Sequence, residues 1–324
     1  MAQLPLHDLV VVELGSEIAG RHCGLVLARQ GATVHICTPR PEPARDSAAL
    51  QAMLDDGKSL LDPSRYAEVL RSADVVLLDE GTELPPSSAS SALRARIVPL
   101  GSAPGRTDWV ADEMVLQTMG GSTDFTTAPD GTPHFGFGHR VQFTAGLYLY
   151  SGIVGQLMLE REHRATEVSV SLLETMVSLL PCHTTQFEYN GNTDTVGQTG
   201  ARHVLRCVDG WVALYGGGPW ANIAAFLGPH TPVDSVRFVE SGSRAQHMAE
   251  LDVWLQERVA AHTVAETIEL ATSHRLAIAE LPTMDAVLAD EEYERRGVWT
   301  SVTLPDGRRG RTTLGNALVN GVRR

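Results

Sequence analysis

One lysine, Lys58, stands among the 26 basic residues of this 324-residue chain. Schiff-base catalysis needs a lysine amine, so pyridoxal or aldolase-type chemistry would have to run through that residue. Lys58 follows Gly57, but Ala52 occupies the place of the first glycine in a phosphate-binding G-x-x-x-x-G-K-[ST] loop. Both classes are disfavoured. Gly15-Ser16-Glu17-Ile18-Ala19-Gly20 offers backbone N–H groups to a phosphate if it forms a strand–helix turn, though a plain sheet turn explains it equally well. It is not G-x-G-x-x-G, and Thr38-Pro39-Arg40 stands where a dinucleotide site needs an acidic residue. Arg40 is either a phosphate contact at the sheet's ligand edge or a solvated loop arginine. His134 and His139 are five apart with no carboxylate at metal spacing, and Cys182-His183 is an isolated pair, so no metal site is expected. There is no G-x-S-x-G elbow for a hydrolase. Gly216-Gly217-Gly218 is a tight turn or a mobile loop over a substrate.

The elements that must position these residues alternate. Leu9 to Leu14 reads as a buried parallel strand, Ile18 to Gln30 as a helix closed by Gly31, and Ala32 to Cys37 as a second strand. A helix over Tyr66 to Ser72 and strands over 73–78 and 94–100 extend a βαβ series, which predicts an open, Rossmann-like α/β sheet. Residues 141–159 carry no charge and are long enough to cross a bilayer; their Gln, Thr, Ser and three Gly residues favour a buried helix. A strand over 167–170 leads to a helix over Ser171 to Leu180 that Pro181 should stop. The expected organisation is a large domain over 1–190, a linker over 191–200, and a small α+β domain over 201–284. Residues 285–324 return to the large domain. The small domain should hold a hairpin turning at Asp209-Gly210 and helices near 219–227, 247–260 and 263–273; a helix over Asp285 to Gly297 and two closing strands follow.

Acidic residues number 39, giving a formal charge of −13, so nucleic acid and anionic membrane are unsuitable partners. The four cysteines lack C-x-x-C spacing and read as reduced thiols, and the first fifteen residues lack a basic, then apolar, leader pattern; a cytoplasmic location is expected.

Several segments, in order, resemble the class III CoA-transferases, the family that includes formyl-CoA transferase, α-methylacyl-CoA racemase and carnitine dehydratase-like proteins. They are Pro5 to Leu14 with Ile18-Ala19-Gly20, LARQGATV at Leu27 to Val34, Gly57-Lys58-Ser59-Leu60-Leu61-Asp62, and EMVLQTMGG at Glu113 to Gly121. The series continues with Pro129 to Pro133, VSVSLLETMVSLL at Val168 to Leu180, Gly191-Asn192, Asp209 to Leu214, and Val287 to Asp290 through Arg296-Gly297. The resemblance implies an interlocked dimer and a coenzyme A or acyl-CoA thioester as substrate, with no metal. In the family's transferases an aspartate attacks the acyl-CoA, and a carboxylic acid acceptor completes the exchange. It also implies that Arg40 and Lys58 meet the CoA phosphates, with Ile18, Ala19, Gly216 and Gly217 expected alongside as cofactor contacts.

The chain departs from the family pattern at the reacting centre. The position of the nucleophilic aspartate is Gln142, which cannot form an anhydride, and no aspartate occurs between Gly131 and Asp194. The histidine of the racemase branch should fall near Thr123, and the family's ENFRPG loop is replaced by Asp79-Glu80-Gly81-Thr82-Glu83-Leu84. Glu113, Asp112, Asp124 and His139 are candidate replacements near the expected cleft. Three readings follow: an acyl-CoA enzyme with a non-standard residue set, a non-catalytic or regulatory subunit paired in a heteromer with an active paralogue, and an epimerase-like enzyme using His139 or a carboxylate as base.

Overall fold

The structure, a computed structural model, describes residues 4–37, 47–84, 91–101, 109, 111–128, 131–191, 202–229, 235–304, 306–315, 318–319 and 322–323. Arg40 and the expected linker from 192 lie outside them. The chain forms two compact units. The first holds Met1–Thr123, Phe135–Tyr189 and Glu292–Arg324; the second holds Asp124–His134 and Asn190–Glu291.

The first unit is α/β. Its elements run β1 (Val10–Glu13), α1 (Ile18–Arg29), β2 (Thr33–Ile36), α2 (Ala48–Leu54), β3 (Ser59–Leu60), α3 (Tyr66–Ser72), β4 (Val75–Asp79), β5 (Leu93–Val98) and α4 (Glu113–Met119). The short α5 (Ser122–Phe125), α6 (Arg140–Leu157), β6 (Glu167–Ser171), α7 (Leu172–Ser178) and α8 (Pro181–Asn190) follow. All six strands are parallel, in the order β3-β2-β1-β4-β5-β6. The β-branched runs of β1 and β4 suit this setting, because parallel strands are buried on both faces. Val11, Val75 and Leu77 pack under α1 and α6, while Val12, Val76 and Leu78 pack under α3. β5 differs. Leu93, Ala95 and Ile97 are buried, but the alternate Arg94 and Arg96 lie on a more open face.

Two expectations need correction. Pro181 ends the α7 run but opens α8, since proline's missing N–H and fixed φ suit a first helical turn. The helix expected over Asp285 to Gly297 is two, α14 (Met284–Ala289) and α15 (Glu291–Arg295), separated at Asp290 by extended backbone (φ −66°, ψ 116°). The uncharged segment forms α6, and no helix among the described residues is long and apolar enough to cross a membrane.

The second unit has an antiparallel sheet of β7 (Arg202–Arg206), β8 (Trp211–Tyr215) and β9 (Ala277–Glu280), in that order. Helices α9 (Trp220–Leu227), α10 (Ser235–Val239), α11 (Ser241–Gln246), α12 (Met248–Val259) and α13 (Val264–Ser273) accompany it. Phe238 stacks on Trp220 at 5.1 Å in a core shared with Phe226, Trp254 and Leu214. A capping box of Thr263 and Glu266 starts α13, and Asp209 at the hairpin turn also accepts from the Val264 N–H. β10 (Trp299–Thr303) and β11 (Arg309–Thr313) pair as a hairpin in the first unit.

Strand order reverses between β1 and β4, the place where an open α/β sheet receives phosphate ligands. Here the chain fills that place itself. The Asp79 carboxylate, at the end of β4, accepts from the Ser16 N–H at 2.5 Å and the Glu17 N–H at 3.2 Å, just before α1. A Cβ on Gly15 would stand 2.4 Å from Asp79 Oδ1, so only glycine permits this approach. Burial pushes the Asp79 carboxyl up; the bonds from Ser16 and Glu17 oppose the shift, and Glu13 adds to it. A raised carboxyl contributes stability that is fully present below its unfolded value and is lost as pH rises through its folded value. Asp79→Ala should cost about 1 to 2 kcal/mol, because it orphans the Ser16 and Glu17 amides. Asp79→Asn keeps the acceptor without the charge, and in denaturation midpoints should gain on the wild type over the pH window that opens at the ordinary carboxylate value and closes at the raised one. A gap that stays constant over that window would disprove the assignment.

Candidate functional site at the α1–α6 seam

α1 and α6 cross with their backbones nearly touching. A Cβ on Gly146 would lie 2.6 Å from the Ala19 carbonyl oxygen, so glycine is required for this packing. That approach brings the first turn of α6 to the first turn of α1. The Gln142 side chain is buried, and its Oε1 accepts from the Ala19 N–H at 3.0 Å. An α-helix leaves its first N–H groups unpaired, and Gln142 satisfies one of them.

Glu113 sits opposite. Its Oε1 accepts from the Val141 N–H at 2.9 Å and its Oε2 from the Gln142 N–H at 3.4 Å, so its charge caps α6. Gln117 Nε2 donates to Glu113 Oε1 at 3.0 Å, and Gln117 Oε1 accepts from the Gly136 N–H and from Arg140 Nη2. His139 is the residue before α6; its ring makes no side-chain cap bond and stands edge-on to Phe143 at 6.2 Å. Ile18 and Ala19, Glu113, His139 and Gln142 are thus brought to one place. Asp112 caps α4 through the Val115 N–H at 2.8 Å.

A residue the sequence reading missed joins them. His22, one turn into α1, has Nδ1 3.0 Å from the Phe143 carbonyl oxygen, with its ring 4.8 Å from the Phe143 ring. A carbonyl only accepts, so Nδ1 carries the proton and Nε2 keeps its lone pair. Burial lowers the His22 pKa, the Phe143 bond opposes this, and Arg29 and Lys58 lower it further, so the imidazole is neutral at pH 7. The signal in the sequence was a histidine on the same helical face as Ala19, three residues along.

Lys58 lies elsewhere in the same unit and faces inward. Its Nζ is wholly buried, 2.6 Å from Glu13 Oε2 and 2.7 Å from the Arg21 carbonyl oxygen. In this arrangement a phosphate would have to compete with a carboxylate at contact distance. Gly216 and Gly217 belong to the second unit, in the turn after β8, where Gly217 packs against the Tyr215 ring. Among the described residues, the grouping with metal-ligand chemistry is Glu160, Glu162 and His163, all exposed.

Two measurements check this geometry. Lys58→Ala should lower unfolding free energy by about 3 to 5 kcal/mol, because it strands a buried Glu13 charge, while Glu13→Leu with Lys58→Met should recover most of that loss. Equal losses in the single and double variants would contradict the pairing. Long-range ¹⁵N correlation should find His22 as the Nδ1–H tautomer, titrating below the ordinary histidine range; Nε2 protonation at pH 7 would exclude it as a proton acceptor.

Comparison with known proteins places the fold and the family. The family model described as CoA-transferase family III matches residues 100–320. A CAIB/BAIF family protein from Brucella suis has a similar structure, with a TM-score of 0.82 and 20% identity, covering 99% of this chain and 94% of that one. A hypothetical protein from Mycobacterium tuberculosis is comparable, with a TM-score of 0.79, 21% identity, and the same 99% and 94% coverage. At these identities the structural likeness speaks for the fold alone. Among curated proteins, none matches. The family model spans well over half of the chain, and the chain belongs to CoA-transferase family III.

Proposed function

We propose that this protein binds an acyl-CoA thioester and moves a proton at the carbon next to the thioester carbonyl, without a covalent acyl-enzyme. The observation that carries this reading is Gln142: a buried amide, tied to the Ala19 N–H, standing where the sequence resemblance implies the nucleophile of the family's transferases. An amide is not a nucleophile at neutral pH, and the nearby carboxylate of Glu113 is engaged by the first amides of α6. What the seam does offer is imidazole. His22 and His139 both lie against Phe143, and a neutral imidazole nitrogen with a free lone pair can act as a general base. In the proposed step one imidazole nitrogen takes the α-proton and the C–H electrons move onto the thioester carbonyl oxygen. Return of a proton from the other face inverts the carbon. Arg40, Lys58, Gly216 and Gly217 stay in the proposal as contacts to the rest of CoA, Lys58 only if it exchanges Glu13 for a phosphate. Self-association is part of the same reading, supported by exposed Leu147 and Tyr148 on α6, Val177 and Leu179 at α7, and Phe187 and Tyr189 on α8. Free thiols at all four cysteines suit a reducing compartment such as the cytoplasm.

Incubation with a 2-methyl-branched acyl-CoA in D₂O should place deuterium at the α-carbon, and hydroxylamine should trap no hydroxamate. His22→Gln or His139→Gln should slow exchange by about 100-fold or more. Hydroxamate formation would restore a covalent transferase; CoA binding with neither signal would favour a non-catalytic subunit.

A further inference from the structure

At the opposite end of the sheet from the seam, the strands begin around a cleft that the proposed chemistry does not use. Asp74 precedes β4, Ala92 and Leu93 start β5, and Thr166 precedes β6; together they line a cavity of about 290 Å³. Three arginines enter it: Arg94 from β5, Arg161 from the turn after α6, and Arg164 just beyond. We propose that this cleft is an anion site for a small phosphorylated compound carrying a short apolar group.

Charge is the first argument. The chain has an excess of 13 acidic groups, yet Asp74 is the one carboxylate among the cavity's lining residues. That carboxylate is turned to the Val10 N–H, which it accepts at 3.0 Å. The nearby Glu160 and Glu162 face His163, at 3.9 and 3.6 Å. Counting Asp74 and the Glu167 that pairs with Arg94, the cleft still holds a cationic surplus, which a bound anion would relieve.

The positioning of the three guanidiniums is the second. Arg164 donates Nε to the Leu159 carbonyl and Nη2 to the Leu157 carbonyl, at 3.1 and 3.2 Å, so the end of α6 fixes its plane at the cleft. Arg161 is braced by one bond, Nη2 to Ser91 Oγ at 2.6 Å. Arg94 Nε is ion-paired with Glu167 Oε2 at 3.2 Å without an aligned hydrogen bond, which leaves its two Nη groups as the remaining donors. Forked guanidiniums with unused donors suit the tetrahedral oxygens of a phosphate, which accept from several directions at once.

Size and lining set the class. Leu84 and Leu93 supply apolar wall beside the arginines. A cavity of about 290 Å³ is at the small end of ligand sites. It suits a phosphate with a few carbons and excludes a whole nucleotide cofactor.

Calorimetry on the full chain at low ionic strength tests this, with phenyl phosphate and pyrophosphate as probes and benzoate and succinate as carboxylate counterparts. Phenyl phosphate should bind saturably at one site. Arg161→Gln and Arg94→Gln should each weaken it tenfold or more, while Arg308→Gln, on a remote hairpin turn, should not. Saturating CoA should leave the binding unchanged, so the result is independent of the thioester reading. The proposal fails if no saturable binding occurs, if the two cleft variants bind like wild type, or if CoA displaces the probe. Carboxylates binding as tightly as phenyl phosphate would overturn the phosphate assignment. Circular dichroism of both variants, expected to match wild type, keeps a loss of binding from being a loss of fold.

Discussion

The contact between the Ala19 backbone and Gly146 sets the distance on which the seam depends. Two helices whose backbones approach this closely cannot accommodate even a methyl group between them, so their first turns are held in fixed register. From that register follow the Gln142 bond to the Ala19 N–H and the His22 bond to the Phe143 carbonyl. Glu113 then secures the start of α6 from a third helix. Val141, Ala145, Leu149 and Ile153 are fully buried along the same helix, so the apolar face of α6 and the polar first turn are placed by one packing event.

At the carboxyl ends of the central strands the chain meets its own charges. Asp79 takes the amides before α1, and Glu13, at the end of β1, takes Lys58. Each charge removed from water here has a partner at contact distance, which offsets the cost of burial. The consequence is functional as well as structural. A sheet with the strand order of a dinucleotide-binding fold has its switch point closed by a carboxylate, and an incoming phosphate would face repulsion where such folds provide amides.

The sequence made some of this legible and hid the rest for a physical reason. β1, α1, α3 and α6 could be read because β-branched runs and helical periodicity are local signals. Family membership could be read from several short segments in order, and the family model over residues 100–320 agrees. Pairings between distant segments left no such trace. Asp79 lies 63 residues from Ser16, and nothing near either residue announces their bond. The family resemblance implies a phosphate contact for Lys58, and the carboxylate that meets it in this structure is 45 residues away, with no local sequence signal of the pairing. His22 was passed over because its local setting is an ordinary helix; its tautomer is set by a carbonyl on another helix. Likewise the open face of β5 depends on which helices cover which strands, a property of topology and not of the strand's own residues.

A glutamine at position 142 fits this network better than an aspartate would. Glu113 holds its negative charge against the Val141 and Gln142 amides, directly beside the position. A second carboxylate there would be buried next to the first, and like charges in so small a space cannot both ionise without raising one pKa strongly. An ionised nucleophile would then require Glu113 to move or to take a proton, and either change would release the start of α6. A neutral amide avoids that conflict and still satisfies the Ala19 N–H. A glutamine here therefore holds the seam where a carboxylate would loosen it.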